Sequence, residues 1–89
     1  MATILIAEDE KNMQDIIVEY MKRGGHSCIT ADDGIDAVTI LKNNPVDLAI
    51  LDIMMPKIDG LEVLRSFRQT GKTTPVLFLT AKDAVPDRV

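Results

Sequence analysis

The feature that most limits what this chain can fold into is a repeated pattern. Short apolar runs alternate with stretches of helical spacing. Ile4-Leu5-Ile6-Ala7 is too short for a helix and apolar throughout, which predicts a strand buried on both faces. Met13, Ile16, Ile17, Tyr20 and Met21 recur at helical spacing, which predicts a helix with these side chains inward, stopped by Gly24-Gly25. Ser27 to Ala31 reads as a weaker second strand. Gly34 to Asn43 predicts a short helix with Ala37, Val38 and Leu41 inward, closed before Pro45. Val46 to Leu51 is the third strand, and Gly60 to Thr70 a helix through Leu61, Leu64 and Phe67. Pro75 to Leu79 is the fourth strand, with proline at its first position, where it is tolerated. Asp83 to Val89 reads as a helix start, with Pro86 in the first turn, where no amide proton is needed.

Strands alternating with helices imply right-handed crossovers and a parallel sheet, hence an α/β doubly wound fold. At 89 residues this is one small domain or part of one, without internal repeats, low-complexity stretches or linkers. Such sheets bind ligands beyond the carboxyl ends of their strands. The residues there are Glu8-Asp9-Glu10 after the first strand, Asp52 after the third and Thr80 after the fourth.

Composition narrows the function classes. Apolar residues at 46% and charged residues at 27% describe an ordinary globular chain rather than a disordered one. A net charge of −4 argues against this segment gripping nucleic acid. No apolar run reaches the ~18 residues of a membrane span. Met1-Ala2-Thr3 leads into the first apolar run with no basic segment before it, which predicts no signal peptide. The single Cys28 cannot form an internal disulfide and fits a reducing compartment, so a cytoplasmic location is expected.

Glu8 and Asp9 admit two readings. One is a helix cap, in which a carboxylate accepts backbone N–H bonds at the start of the first helix. The other is a divalent cation site, because three successive acids at a ligand-binding strand end repel one another unless something positive lies between them. The same segment, Ala7-Glu8-Asp9-Glu10-Lys11, lacks the glycines of a phosphate or dinucleotide loop and has the wrong charge for one. Asp52 ends the apolar run Leu48 to Leu51, where a carboxylate must be hydrogen-bonded or neutralised. It is read either as a satisfied turn residue or as a partner of the acids after the first strand. Neighbouring strands lie about 4.8 Å apart, so carboxylates ending two of them can reach one metal. A hard, oxygen-preferring cation is required, which favours magnesium.

Ile50-Leu51-Asp52-Ile53-Met54-Met55-Pro56, followed by Asp59-Gly60, resembles the phosphoacceptor loop of bacterial response-regulator receiver (CheY-like) domains. The acidic pair after the first strand and Leu79-Thr80-Ala81 after the fourth resemble that family too. The tail from Thr80 to Val89 is most similar to receivers that precede a winged-helix DNA-binding domain. The resemblance implies strand order 2-1-3-4 and a module of two-component signalling. It implies that Asp52 takes a phosphoryl group from a sensor histidine kinase, that Asp9 ligates Mg2+ directly and Glu8 through water, and that the Met54 backbone carbonyl is a further ligand. Thr80 is implied to donate to the phosphoryl oxygen. The chain departs from the pattern in two ways. Glu8 stands where the family more often has Asp. The family's fifth strand, the lysine ending it and the aromatic residue before that lysine have no counterpart in these residues; Lys82 is too near Thr80 to be that lysine. Residues 1–89 are therefore expected to form an incomplete receiver lacking most of helix 4, strand 5 and helix 5.

Such a receiver is not an enzyme on an external substrate; it assists its own phosphorylation and dephosphorylation. The alternative is a truncated receiver serving as a non-phosphorylated interaction module. A haloacid-dehalogenase-type phosphohydrolase is disfavoured, because its second Asp would fall at Met54, and a flavin-binding relative by the acidic first loop. His26 is expected on a surface loop, Cys28 as a small buried apolar residue and Lys57 in solvent. The fourth strand, Val76 to Leu79, is expected to be an open edge that invites self-association.

Overall fold

The computed structural model describes residues 1–79. The expected tail helix, Thr80 and Lys82 lie outside the described residues. The chain alternates strand and helix: β1 (Thr3–Ala7), α1 (Lys11–Arg23), β2 (Ser27–Ala31), α2 (Gly34–Asn43), β3 (Leu48–Asp52), α3 (Gly60–Arg68) and β4 (Val76–Leu79). All strand pairs are parallel, in the order β2-β1-β3-β4, as expected.

Period-two alternation along the buried strands sorts side chains to the two faces of the sheet. Leu5, Ala7, Ala49 and Leu51 face α2 and α3, where they bury with Ala37, Leu41, Val63 and Phe67. Ile4, Ile6 and Ile50 face the opposite side and pack with Ile17, Val18 and Met21 of α1. Cys28 packs on that side as well, and burial pushes its thiol up, partly offset by Lys22. Burying Phe67 or Leu51 completely is worth roughly 1.5–3 kcal/mol each.

The glycine-rich end of α1 behaves as the pattern predicts. After α1, Gly25 adopts φ +88°, its N–H donates to the Lys22 carbonyl at 3.0 Å and the His26 N–H to the Met21 carbonyl at 3.1 Å. This pair of bonds satisfies helix-end carbonyls, and a positive φ suits glycine. His26 is not simply a surface loop residue, because its Nδ1 accepts the Ala2 N–H at 3.0 Å and the ring is half-buried.

The helix faces depart from the expected ones. Ile16 and Tyr20 are more than half exposed, at 54% and 69%, while the polar Gln14 is buried. On α3, Leu61 is exposed and Val63 takes the core position, with Leu64 half-buried. In both helices the buried stripe is rotated relative to the apolar count, since the packed face is set by where the helix crosses the sheet. On β4, Val76 and Phe78 pack toward α2 and α3 and Leu79 toward α1, while Leu77 is exposed.

Candidate cation and acceptor site

Register builds the site. Ala7 of β1 lies beside Leu51 of β3, so the next residues, Glu8 and Asp52, leave two adjacent strands side by side. Asp9 follows Glu8 at the same end. Carboxylate oxygens of Glu8, Asp9 and Asp52 all lie within 4.8 Å of one another. Glu8 and Asp52 are buried and Asp9 is exposed, so the group has one open side. An open cleft of about 450 Å3, lined by Asp9, Ile53, Met54, Met55, Pro56 and Asp59, adjoins it.

Two of the three carboxylates are held by their own loops. The Asp52 Oδ1 accepts the Met54 N–H at 3.1 Å, and Glu8 Oε2 accepts the Glu10 N–H at 3.0 Å. The helix-cap reading of the acid pair is not what forms. The N-cap of α1 is Glu10, its side chain makes no capping bond, and the first turn has no acid. Met54 follows Asp52 by two positions, its amide tied to Asp52 and its side chain 65% exposed beside the cleft.

Close packing fixes the β3–α3 loop. A Cβ at Gly60 would lie 2.5 Å from the Asp52 carbonyl oxygen, and one at Gly34 would lie 2.1 Å from the Ile58 carbonyl oxygen. Only glycine permits these approaches. The Gly60 N–H donates to the Ile53 carbonyl at 2.8 Å, which closes the loop onto α3. Asp59 then caps α3 by accepting the Glu62 N–H at 2.9 Å. Lys57 sits in the same loop at φ 73°, a left-handed conformation that non-glycine residues rarely adopt. It is not merely solvated, since its Nζ lies 3.1 Å from Asp33 Oδ2. The Asp36 N–H, and then the Lys57 ammonium, hold the Asp33 carboxyl below the ordinary aspartate range.

The buried polar residue beside the site that sequence reasoning missed is Gln14. It is 1% exposed, and its amide donates toward the ends of β1 and β2. The signal was present as a polar residue between the apolar positions Met13 and Ile17, on the sheet side of α1.

The donor set suits a hard cation. Three carboxylates crowd together, two of them buried, and their oxygens together attract positive charge. All-oxygen donors with one open side match magnesium, which keeps several waters.

Comparison with known proteins agrees with this geometry. Residues 4–89 match the response regulator receiver domain family. The response regulator MprA of Mycobacterium sp. strain KMS is 41% identical over 97% of this chain, and that of Mycobacterium avium is 38% identical over the same share. The chain spans a little over a third, 37–38%, of the length of these curated relatives. Among solved structures, the receiver domain of a Francisella response regulator superposes with TM-score 0.88 at 30% identity, covering 96% of this chain and 70% of that one. TrrA of Thermotoga maritima, solved in complex with Mg2+ and BeF, gives TM-score 0.87 at 34% identity, covering 98% of this chain and 76% of that one. The receiver domain of a Pseudomonas aeruginosa sensor histidine kinase, with a magnesium ion coordinated in its active-site cleft, gives 0.87 at 29% identity, covering 98% and 73%. Sheet order, acid cluster and sequence match converge on one conclusion: this chain belongs to the response regulator receiver domain family.

Proposed function

We propose that this chain is a phosphoacceptor module of two-component signalling, in which Asp52 accepts a phosphoryl group from a histidine kinase with Mg2+ bound by Asp9, Asp52 and, through water, Glu8. The observation that carries this reading is the meeting of carboxylates from the ends of β1 and β3 within 4.8 Å beside an open cleft. The Met54 backbone carbonyl completes the proposed ligand set, and Thr80, outside the described residues, would donate to the phosphoryl oxygen. Residues 1–89 are taken as the first four strands of one receiver unit, placed in the cytoplasm.

Phosphoryl transfer depends on positioning and charge neutralisation. An Asp52 carboxylate oxygen attacks phosphorus in line, the P–N bond to the donor histidine breaks, and the imidazole leaves with that electron pair. The product is an acyl phosphate, labile enough for a signal that must decay. A bound Mg2+ lowers the repulsion between the attacking carboxylate and the phosphoryl oxygens. The Met54 N–H at 3.1 Å holds Asp52 in place, and Met54 lines the adjoining cleft, where its side chain would hinder attack by water on the acyl phosphate. The protein turns over no external substrate in this reading.

The sensor kinase is the proposed partner, and the resemblance of the tail from Thr80 to Val89 to receivers that precede a winged-helix domain is the ground for proposing a DNA-binding output outside this segment. Self-association of the 89-residue polypeptide through β4 is also proposed. Leu77 is 55% exposed, and the β4 edge away from β3 is unpaired among the described residues. Light scattering over a wide concentration range is expected to show dimers; a monomer throughout would remove this proposal.

Calorimetric titration with Mg2+ tests the site. Asp9→Ala is expected to weaken binding strongly and Glu8→Gln less. Equal affinity in wild type and Asp9→Ala would overturn the assignment. The reading as a non-phosphorylated interaction module predicts no labelling of Asp52 by acetyl phosphate.

A further inference from the structure

We infer that Gln14 is a positioning residue for the cation site, an inference that rests on the magnesium reading above. A primary amide that is 1% exposed on a helix face is costly unless its polar atoms are bonded. Here Nε2 lies 3.0 Å from the Glu8 carbonyl oxygen, 3.3 Å from the Ala31 carbonyl oxygen and 3.0 Å from Asp32 Oδ1. Oε1 accepts from Lys11 Nζ at 3.2 Å.

The location gives these bonds their significance. The Glu8 N–H donates to the Ala31 carbonyl at 3.1 Å, and strand pairing between β1 and β2 stops there. Past that point Gln14 takes over, holding the two strand ends together from α1. Glu8 is the first residue of the acid cluster, and Asp9 is the next along the chain. A leucine or methionine at position 14 would fill the space but leave the Glu8 and Ala31 carbonyls without this donor. Gln14 thus sets the main-chain position from which two of the three carboxylates project, and it couples them to the β2–α2 loop through Asp32. It touches no proposed ligand oxygen itself, so it acts on the cation through Glu8.

Magnesium titration of the whole chain tests this, alongside thermal melts. Gln14→Met, nearly the same shape without the donors, is expected to weaken Mg2+ binding about tenfold, the low end of the ~10–100-fold seen when an outer partner of a metal site is removed. Val63→Ala, in the core on the far side of the sheet, is expected to lower the melting temperature while leaving affinity unchanged. An equal loss of affinity in Val63→Ala, or none in Gln14→Met, would overturn the inference. Asp32→Asn and Asp32→Ala remove the same charge, but only asparagine keeps an acceptor for Gln14. Asp32→Ala should therefore bind Mg2+ more weakly than Asp32→Asn, and the difference should vanish beside Gln14→Met. Coincidence of the two Asp32 variants in the wild-type background would overturn the inference, and this pair decides even if Gln14→Met fails to fold. Absence of binding in wild type overturns the magnesium reading and this inference together, whereas binding that survives Gln14→Met overturns this inference alone.

Discussion

The two loops that present the carboxylates are fixed differently. The β1–α1 loop is held by polar bonds: the Gln14 amide to the Glu8 carbonyl, and the Glu8 carboxylate to the Glu10 N–H. The β3–α3 loop adds close glycine packing to its hydrogen bonds, with Gly60 against the Asp52 carbonyl and Gly34 against Ile58. The difference suits the loads of the proposed function. Asp9 is exposed and in that reading has only to face a hydrated cation, so adjustable hydrogen bonds suffice. Asp52 is buried and in that reading would meet an incoming phosphorus in line, and packing against main chain tolerates little displacement.

The comparison breaks most readily at the glycines. Gly60→Ala and Gly34→Ala place a Cβ inside contact distance of backbone oxygens that cannot rotate away. Each should cost roughly 3 kcal/mol or more, at or above the usual range for overpacking, as read by urea denaturation. A loss under about 1 kcal/mol would show that the loop yields more easily than its packing implies.

On the polar loop the expected effect is on binding rather than folding. Asp9→Ala should lower Mg2+ affinity by about 100-fold, equivalent to about 2.7 kcal/mol. It should also abolish the rise in melting temperature that Mg2+ gives by binding the folded state. Metal-free Asp9→Ala should melt no lower than wild type, because it removes one of three mutually repelling carboxylates. A lower metal-free melting temperature would mean that Asp9 has a structural partner.

Lys57 sharpens the contrast at smaller scale. Its φ of 73° strains any side chain with a Cβ, and the ion pair to Asp33 offsets part of that cost. Lys57→Gly should therefore be more stable than Lys57→Ala by about 1 kcal/mol, the reverse of their order in a helix. Equal stabilities would show that the loop relaxes out of the left-handed conformation.

The smallest effect is on pH. Asp33 has a lowered pKa in the folded state, from the Asp36 N–H first and Lys57 second. A depressed carboxyl contributes stability above its unfolded pKa, about 3.9, and loses it as pH falls through the lower folded value. Asp33→Asn should flatten that part of the acid limb slightly; an unchanged slope would remove Asp33 from the account.

Much of this was legible in the sequence, for reasons that particular residues make plain. Ile4 to Ala7 and Leu48 to Leu51 are apolar on both faces, and a strand covered on both sides has no other reading. Strand order and the meeting of Asp9 with Asp52 followed from the alternation and the family resemblance. The helix faces were not legible. Counting apolar side chains placed Ile16, Tyr20 and Leu61 inward, yet the sheet is crossed by the stripe containing Gln14, Ile17, Val18 and Met21. Gln14 was hidden because a buried amide is justified only by carbonyls that sequence cannot place. Lys57 was hidden because a positive φ at a lysine is imposed by the loop around it.

The central claim is that Asp52 is the acceptor, and acetyl phosphate with Mg2+ tests it most directly. Peptide mapping by mass spectrometry should place a single phosphoryl group on Asp52, lost in Asp52→Asn and reduced in Asp9→Ala. Label on another carboxylate, or label undiminished in Asp52→Asn, would contradict the account.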